Sequence, residues 1–309
     1  PDARIVYQPP VLVFMQSALR SVPSPAGEGF WSTVALSLAD VIAAAALRQL
    51  ASPGRETALA TTRPARGDSV AAAYLFNPQV VAACVAGSTA AYSNAATLLS
   101  LSLAARGRGA AAASMLAIAT YLSVYPAMLL LPVLLLATDA SIGSRNAVAI
   151  FVAFAAVLSV LMCVSYWALG SSWEFVGVCY GALLLLSDLT PTVGVWQPVF
   201  VAMFPRYRSL FLVLIHGHFV SYLIPLGLRF RQQALYMASL IVLLTSLVKT
   251  YPCTADIALG LSLLSVHDKV IAEMRHKWLL VLLFSWSHVQ TEFALDAWLM
   301  QGSADSNFY

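Results

Sequence analysis

The feature that most constrains this chain is a succession of long apolar runs in which hydrophobic and polar residues do not alternate. Such runs lie near residues 5–19, 30–47, 69–86, 89–105, 109–123, 126–138, 147–169, 209–228, 233–248, 254–266 and 278–300. A helix that crosses a bilayer needs about 20 mostly apolar residues, and backbone polar groups in lipid must be satisfied inside helices or closed barrels. Without a period of two, the runs select helices over barrel strands. Hydrophobic residues make up 60% of the 309 and charged residues only 10%, a balance that no water-soluble globule of this length accommodates. The reading is an all-α polytopic membrane protein, a multi-helix transmembrane bundle, with residues 1–309 forming one transmembrane domain.

Several runs are shorter than a full span. Those at 109–123 and 126–138 meet at Tyr125-Pro126, with Pro132 a turn later, which predicts half-length or kinked helices of the kind that border cavities. Residues 52–68 form the one extended polar loop, with Arg55, Arg63 and Arg66 among Gly and Pro, and are expected to be a mobile connector. Residues 171–187 and 193–208 are too short or too punctuated to span. Trp173, Tyr180, Trp196 and Tyr207 suit the membrane–water boundary, so both segments are read as interfacial helices.

The net charge of +3 is small and its basic residues are scattered over short turns, which gives no nucleic-acid footprint. Arg229, Arg231, Lys269, Arg275 and Lys277 cluster in two turns that the positive-inside rule makes cytoplasmic. The runs 209–228 and 278–300 then place Asp188 and the segment from Gly302 to Tyr309 on the opposite, non-cytoplasmic face. Arg206 and Arg208 fall on that face too, and a simple alternation of spans does not make every N-terminal basic loop cytoplasmic. Cys84, Cys163, Cys179 and Cys253 show no CxxC spacing and read as small core residues. His216-Gly217-His218 invites a metal reading, but positions two apart on a helix point in different directions, so no metal site is assigned. No catalytic residue and no cofactor is assigned either. The chain opens without a visible signal peptide, as an internal position of a longer protein would.

Function concentrates where the apolar pattern breaks. In Ser187-Asp188-Leu189-Thr190-Pro191-Thr192-Val193-Gly194, Asp188 and Thr190 can accept or donate hydrogen bonds, Pro191 disfavours helix at Thr190, and Gly194 permits a tight bend. Asp188 could equally satisfy the amides of its own turn. Ser303, Asp305, Ser306 and Asn307 follow Gly302 in a second polar turn, which is also what a helix-ending cap looks like. Asp40 and Asp256 interrupt apolar runs and are expected to face the bundle interior, with Asp256 also able to cap a helix that begins near Thr254.

These islands carry a resemblance. Asp188-Leu189-Thr190-Pro191-Thr192-Val193-Gly194, Tyr251-Pro252-Cys253-Thr254-Ala255-Asp256-Ile257-Ala258-Leu259 and Gly302-Ser303-Ala304-Asp305-Ser306-Asn307-Phe308, in that order, resemble the PIG-U family, membrane subunits of the glycosylphosphatidylinositol (GPI) transamidase. Tyr74-Leu75-Phe76-Asn77-Pro78, Ser88-Thr89 and Ala119-Thr120-Tyr121-Leu122-Ser123-Val124-Tyr125-Pro126 resemble its N-terminal half, so the similarity covers nearly the whole chain. Against the family's pattern the chain begins near Gln8-Pro9-Pro10, without the first span and the luminal loop after it, and stops at Tyr309, where the family continues into further helix. Asp305 stands where the family usually has Asn, keeping an acceptor and losing two donors, and the family's Pro and His shortly before that segment are not evident.

The resemblance implies a GT-C-like architecture and a multi-pass protein of the endoplasmic reticulum membrane. It also implies a noncatalytic subunit that helps bind and present the GPI lipid, with PIG-K supplying the peptide chemistry and PIG-T, PIG-S and the GPI anchor attachment protein as further partners. Membrane lipids surround it. GPI carries phosphates, a hydroxyl-rich glycan and acyl chains, so its host needs polar groups above an apolar groove. Asp188, Thr190, Pro191, Ser303, Asp305, Ser306 and Asn307 are the expected GPI-binding residues. Two other classes stay open: an active GT-C glycosyltransferase using a dolichyl-phosphate sugar, which needs a luminal carboxylate, and a secondary transporter, which would show two related halves that the sequence lacks.

Overall fold

The structure is a computed structural model, and it describes residues 8–24, 29–52, 65–138, 145–185, 196–201 and 203–302. Every regular element among them is helical. In chain order these are α1 (Pro10–Ser21), α2 (Phe30–Ala51), α3 (Ala65–Leu75), α4 (Pro78–Val85), α5 (Ala90–Ala105), α6 (Gly109–Leu122), α7 (Leu130–Ala137), α8 (Arg145–Ala168), α9 (Ala182–Leu185), α10 (Trp196–Val201), α11 (Arg208–Ser221), α12 (Leu223–Arg229), α13 (Ala234–Val248), α14 (Thr254–Ser265), α15 (Asp268–Glu273) and α16 (Lys277–Leu299). Among the described residues three stretches are long and apolar enough to cross a membrane: Phe30–Ala51, Arg145–Ala168 and Pro205–Arg229.

The core packs α2, α3, α5, α6, α7, α13 and α14 through small and branched side chains, among them Ala43, Leu47, Leu98, Leu101, Ala112, Leu116, Met237 and Leu263. In lipid there is no hydrophobic drive between helices, so close backbone approach through small residues is what holds such a bundle. Gly260 of α14 is one such point: a Cβ there would lie 2.7 Å from Leu243 Cδ2 and 3.2 Å from Leu243 Cα of α13. The outer helices keep apolar side chains exposed, as Val148, Phe151 and Val160 do on α8 and Trp278, Leu282 and Trp286 do on α16, which is the surface a bilayer covers.

Three expectations change in detail. The run 69–86 is two helices, because Asn77 turns the chain and caps α4 by accepting from Gln79 N (3.0 Å), with Pro78 at the first helical position. The Tyr125-Pro126 break is a 3-10 turn over Tyr125–Leu129 leading into α7. Residues 171–187 hold one short helix, Val176–Leu185, whose Val176–Gly181 part is π-helical and leads into α9, and in residues 193–208 α10 is followed by a 3-10 turn over Pro205–Tyr207. Of the polar loop 52–68, residues 53–64 lie outside the described residues, while Ala65 begins α3. Cys84, Cys163, Cys179 and Cys253 form no disulfide among the described residues, and Cys163 is exposed on α8 rather than buried.

Interhelical bonds sort the helix ends into two groups. At one end Arg66 pairs with Asp268 and donates to Ser265 O (3.0 Å), Arg48 pairs with Asp68, and Ser102 Oγ donates to Gln49 Oε1 (2.8 Å). The turns carrying Arg106, Arg108, Arg229, Arg231 and Lys269 join helices at this end, which the positive-inside rule makes cytoplasmic. At the other end Val11 N donates to Tyr121 OH (3.1 Å), Cys179 Sγ reaches Gln8 O (3.3 Å), and Tyr180 OH donates to Tyr121 O (2.6 Å). The 12-residue α1 therefore begins at the luminal end, and Trp31 Nε1 of α2 donates to Pro23 O (3.5 Å) just after it. That α1 is not a full crossing is why a simple alternation of spans misplaces the N-terminal basic loops.

Candidate functional site

The luminal ends of α5, α6, α13 and α14 converge on the turn Lys249–Cys253. Gly87, at φ +69°, ends α4 in a left-handed turn that a Cβ would strain, with Ser88 N donating back to Ala83 O (2.9 Å). Ser88 then starts α5, its Oγ accepting from Ala90 N (3.3 Å) and lying 3.5 Å from Cys253 Sγ. Asn94, one turn into α5, donates through Nδ2 to Ala255 O (3.3 Å). Tyr125, set by the 3-10 turn, accepts from Thr250 N (3.1 Å) and lies 3.1 Å from Thr250 Oγ1, which in turn donates to Leu183 O (2.6 Å).

Asp256 occupies the third position of α14 and does two things with one oxygen. Its Oδ2 accepts from Cys253 N (2.8 Å), closing a capping box with Cys253, and from Lys249 Nζ (2.9 Å). The sequence expectation of a cap is met, and the ion pair is an addition to it. Both side chains of the pair are largely buried, 15% and 13% exposed. Asp40 also faces the interior as expected, accepting from Tyr74 OH (3.4 Å).

Two neighbouring cavities adjoin this pair, the smaller lined by both side chains and the larger by Lys249 alone. The smaller, about 40 Å³, is lined by Ser93, Asn94, Thr97, Ser123, Tyr125, Lys249 and Asp256 among others. The larger, about 180 Å³, shares Ser93, Ser123 and Lys249 with it and adds Gln8, Ser88, Thr89, Tyr251 and Cys253. A third cavity of about 280 Å³ is apolar, lined by Trp196, Phe211, Leu214, Ile215, His218, Phe219, Tyr222 and Val248. Trp196 Nε1 donates to Val248 O (2.7 Å), so the polar and apolar cavities meet across the end of α13. α13 and α14 have 15 and 12 residues, about 22 and 18 Å at the helical rise, short of a hydrocarbon core of about 30 Å. With their other ends at the cytoplasmic boundary, the Lys249 turn lies within the depth of the bilayer, where a charged pair marks function more often than stability.

The seven site residues expected from sequence, Asp188, Thr190, Pro191, Ser303, Asp305, Ser306 and Asn307, lie outside the described residues. The described residues that bracket residues 186–195 are both attached to the Lys249 turn, Leu183 through Thr250 and Trp196 through Val248. The other segment follows α16, whose His288 accepts a hydrogen bond from Gln79 Nε2; Gly302 comes fourteen positions later, about 21 Å at the helical rise. Among the described residues no group of three or more His, Cys, Asp or Glu side chains could hold a metal. His216 Nδ1 bonds Leu212 O (2.8 Å) and His218 Nε2 bonds Tyr222 OH (2.8 Å), each within its own turn.

Across residues 2–309 the chain matches the family described as GPI transamidase subunit PIG-U. The chain belongs to the PIG-U family. It is 28% identical over 249 residues to the GPI-anchor transamidase component PIGU of Homo sapiens, covering 78% of this chain and 57% of that protein. It is 30% identical over 240 residues to the GPI transamidase component GAB1 of Saccharomyces cerevisiae, covering 76% and 59%, and 29% identical over 238 residues to the GAB1 homolog of Schizosaccharomyces pombe, covering 76% and 57%. The matched part is thus under two thirds of these relatives' length. Of the islands that resemble the PIG-U family, Ser88-Thr89, Ser123 to Pro126 and Tyr251 to Asp256 all line or border the same polar cavities.

Sequence reasoning missed Lys249, Gln8, Ser93 and Asn94. A signal existed for Lys249, a lone cation wedged between the apolar runs 233–248 and 254–266 with Asp256 seven positions on. Gln8, Ser93 and Asn94 carry none, since only packing turns them toward the cavity.

Tyr125→Phe tests how firmly the turn is held. It strips Thr250 N of its acceptor in a buried setting, so it is expected to cost about 1–3 kcal/mol and to speed amide exchange at Thr250 well above that in the α13 interior. Unchanged exchange at Thr250 would show that the hydroxyl does not hold the turn.

Proposed function

We propose that this chain is a noncatalytic subunit of a GPI transamidase, multi-pass in the endoplasmic reticulum membrane, which binds the GPI lipid and presents it for attachment to the C-terminus of precursor proteins. The observation that carries the reading is the pairing of two neighbouring hydroxyl-lined cavities beside Lys249 and Asp256 with an apolar cavity across Val248, set within the bilayer's depth. A lipid with a polar headgroup and acyl chains asks for that juxtaposition. The names of the human and yeast relatives, which call them transamidase components, support the same assignment.

In this reading PIG-K supplies the peptide chemistry, and PIG-T, PIG-S and the GPI anchor attachment protein complete the complex. Asp188, Thr190 and Pro191 belong to the headgroup side, on the segment bracketed by Leu183 and Trp196. Ser303, Asp305, Ser306 and Asn307 are proposed to contact the lipid or a partner further along the axis of α16. A GT-C-like architecture is inherited in this reading without glycosyl transfer.

The test is purification of the full-length protein in mild detergent, with bound partners and lipids identified by mass spectrometry. The expected result is a cysteine-protease-like subunit and a GPI lipid in the wild-type preparation, with GPI lipid reduced in Asp188→Asn. A protein that purifies alone with a dolichyl-linked sugar, or turns one over, would overturn the reading.

A further inference from the structure

At the cytoplasmic end the fold gathers basic residues that the sequence keeps apart. Arg229 and Arg231 flank the turn from α12 into α13, while Lys269, Arg275 and Lys277 belong to α15 and the start of α16. Aromatic rings join the two turns. Phe230 meets Tyr236 edge-on with centroids 5.2 Å apart, Tyr236 meets His267 in the same way at 5.2 Å, and Ser239 Oγ lies 3.2 Å from His267 Nε2. Arg229 Cζ stands 6.0 Å from the centre of the Phe230 ring, and Lys277 Nζ donates to Ala272 O (3.2 Å), which draws the start of α16 onto α15. Arg229, Arg231, Lys269 and Arg275 are exposed. Five cations therefore share one corner with two acids, Asp268 and Glu273, and Asp268 is already engaged by a sixth cation, Arg66.

The depth of this corner selects what it attracts. Leu228, next to Arg229, is 79% exposed, and Trp278, next to Lys277, is 77% exposed, as apolar side chains that face lipid are. The cations one position further along the chain thus stand at the headgroup layer. A phospholipid can lay its acyl chains along Leu228 and Trp278 while its headgroup meets the cations, which a soluble acidic protein cannot do. Three of the five cations are Arg, whose planar fork takes two phosphate oxygens at once. Clusters of four to eight Lys and Arg just outside a spanning helix recruit acidic lipids, with about a fivefold gain in affinity per cation.

We propose that this corner is a docking site for an acidic phospholipid of the cytoplasmic leaflet, held by Arg229, Arg231, Lys269, Arg275 and Lys277. It lies at the opposite end of the bundle from the luminal cavities, and its occupant is a lipid of the bilayer rather than a substrate. A net negative headgroup is required, because the choline of a neutral phospholipid brings its own positive charge to the same cations.

The experiment is native mass spectrometry of the full-length protein released from nanodiscs in which GPI lipid and phosphatidylcholine are mixed with phosphatidylserine or phosphatidylinositol of matched acyl chains. Wild type is expected to retain either acidic lipid over phosphatidylcholine by roughly tenfold or more. The preference is expected to fall as salt is raised from about 50 to about 500 mM, since the screening length shrinks. Arg229→Gln/Arg231→Gln is expected to lower acidic-lipid retention by roughly tenfold or more, with the thermal unfolding midpoint and GPI lipid retention unchanged. Arg106→Gln/Arg108→Gln takes the same charge from the turn between α5 and α6 and is expected to keep acidic-lipid retention within about twofold of wild type. If the first pair fails to fold, Lys269→Gln/Arg275→Gln reads the same corner from α15.

Equal retention of acidic and neutral lipids by wild type would overturn the inference, as would a preference that salt does not weaken. An equal fall in the two Arg-pair variants would overturn it too, because the attraction would then belong to the whole basic end and not to this corner. Poly-glutamate that binds wild type but not Arg229→Gln/Arg231→Gln, without any acidic-lipid preference, would overturn the lipid as occupant in favour of a soluble acidic partner. An acidic-lipid preference that holds while GPI lipid is not retained supports the inference and counts against the transamidase reading alone.

Discussion

Lys249→Met is expected to destabilise the protein by about 3–5 kcal/mol, read as a fall in the thermal unfolding midpoint in detergent and in the yield of folded protein. The physical cause is the charge it leaves behind rather than the contact it removes. Asp256 would remain largely buried with no cation, and breaking a buried pair from one side costs more than the pair itself contributes. Asp256→Ala is expected to cost more than Lys249→Met, because it also removes the acceptor for Cys253 N and with it the cap of α14, worth about 0.5–2 kcal/mol. The double variant Lys249→Met/Asp256→Asn, which carries no charge and keeps the cap acceptor, is expected to recover most of the loss. If the double variant is as unstable as Lys249→Met and Asp256→Asn summed, the pair is not coupled and the site is misread.

Gly260→Val is expected to cost about 1–3 kcal/mol or more by pushing α14 away from α13. A Cβ at this position already meets Leu243 at 2.7 Å, and the approach to Leu243 Cα at 3.2 Å is one that no change of rotamer relieves. The same change in an exposed helix would be close to neutral or favourable, since Gly is the poorer helix former. Because α13 and α14 carry Lys249 and Asp256 on their facing ends, separation of the helices should loosen the pair as well, so lipid retention should fall with stability. Leu243→Ala in the same chain removes the side chain that clashes and is expected to restore part of both. A Gly260→Val protein with wild-type melting and lipid retention would show that the close approach is not required.

Several particular residues show how much could be read in advance. Asn77-Pro78 and Tyr125-Pro126 stop helices for local reasons, a cap and a fixed φ, and such stops are legible wherever they occur. Asp256 was legible as a cap because the groups it bonds, the amide of Cys253 above all, are three positions away. Its partner Lys249 was not, since the turn that folds the cation back onto the carboxylate is set by Tyr125 from another helix. Asp188 and the turn after Gly302 drew attention as polar breaks in an apolar chain; they lie outside the described residues, and the described residues that line the cavities carried no comparable signal apart from Lys249 and Asp256.

The sequence by itself determined the membrane class, the helical state, most helix boundaries and the family. These follow from what lipid demands of any backbone and from local steric and capping rules, which act over a few residues. Tertiary structure alone decided that α1 does not cross, that Gln8 and Ser88 on one side and Asn94 and Tyr125 on the other line two neighbouring luminal cavities that meet at Lys249, and that an apolar cavity abuts them. Those facts depend on which small residues let which helices approach, a contest between many nearly equivalent apolar faces, and no pattern along the chain ranks them.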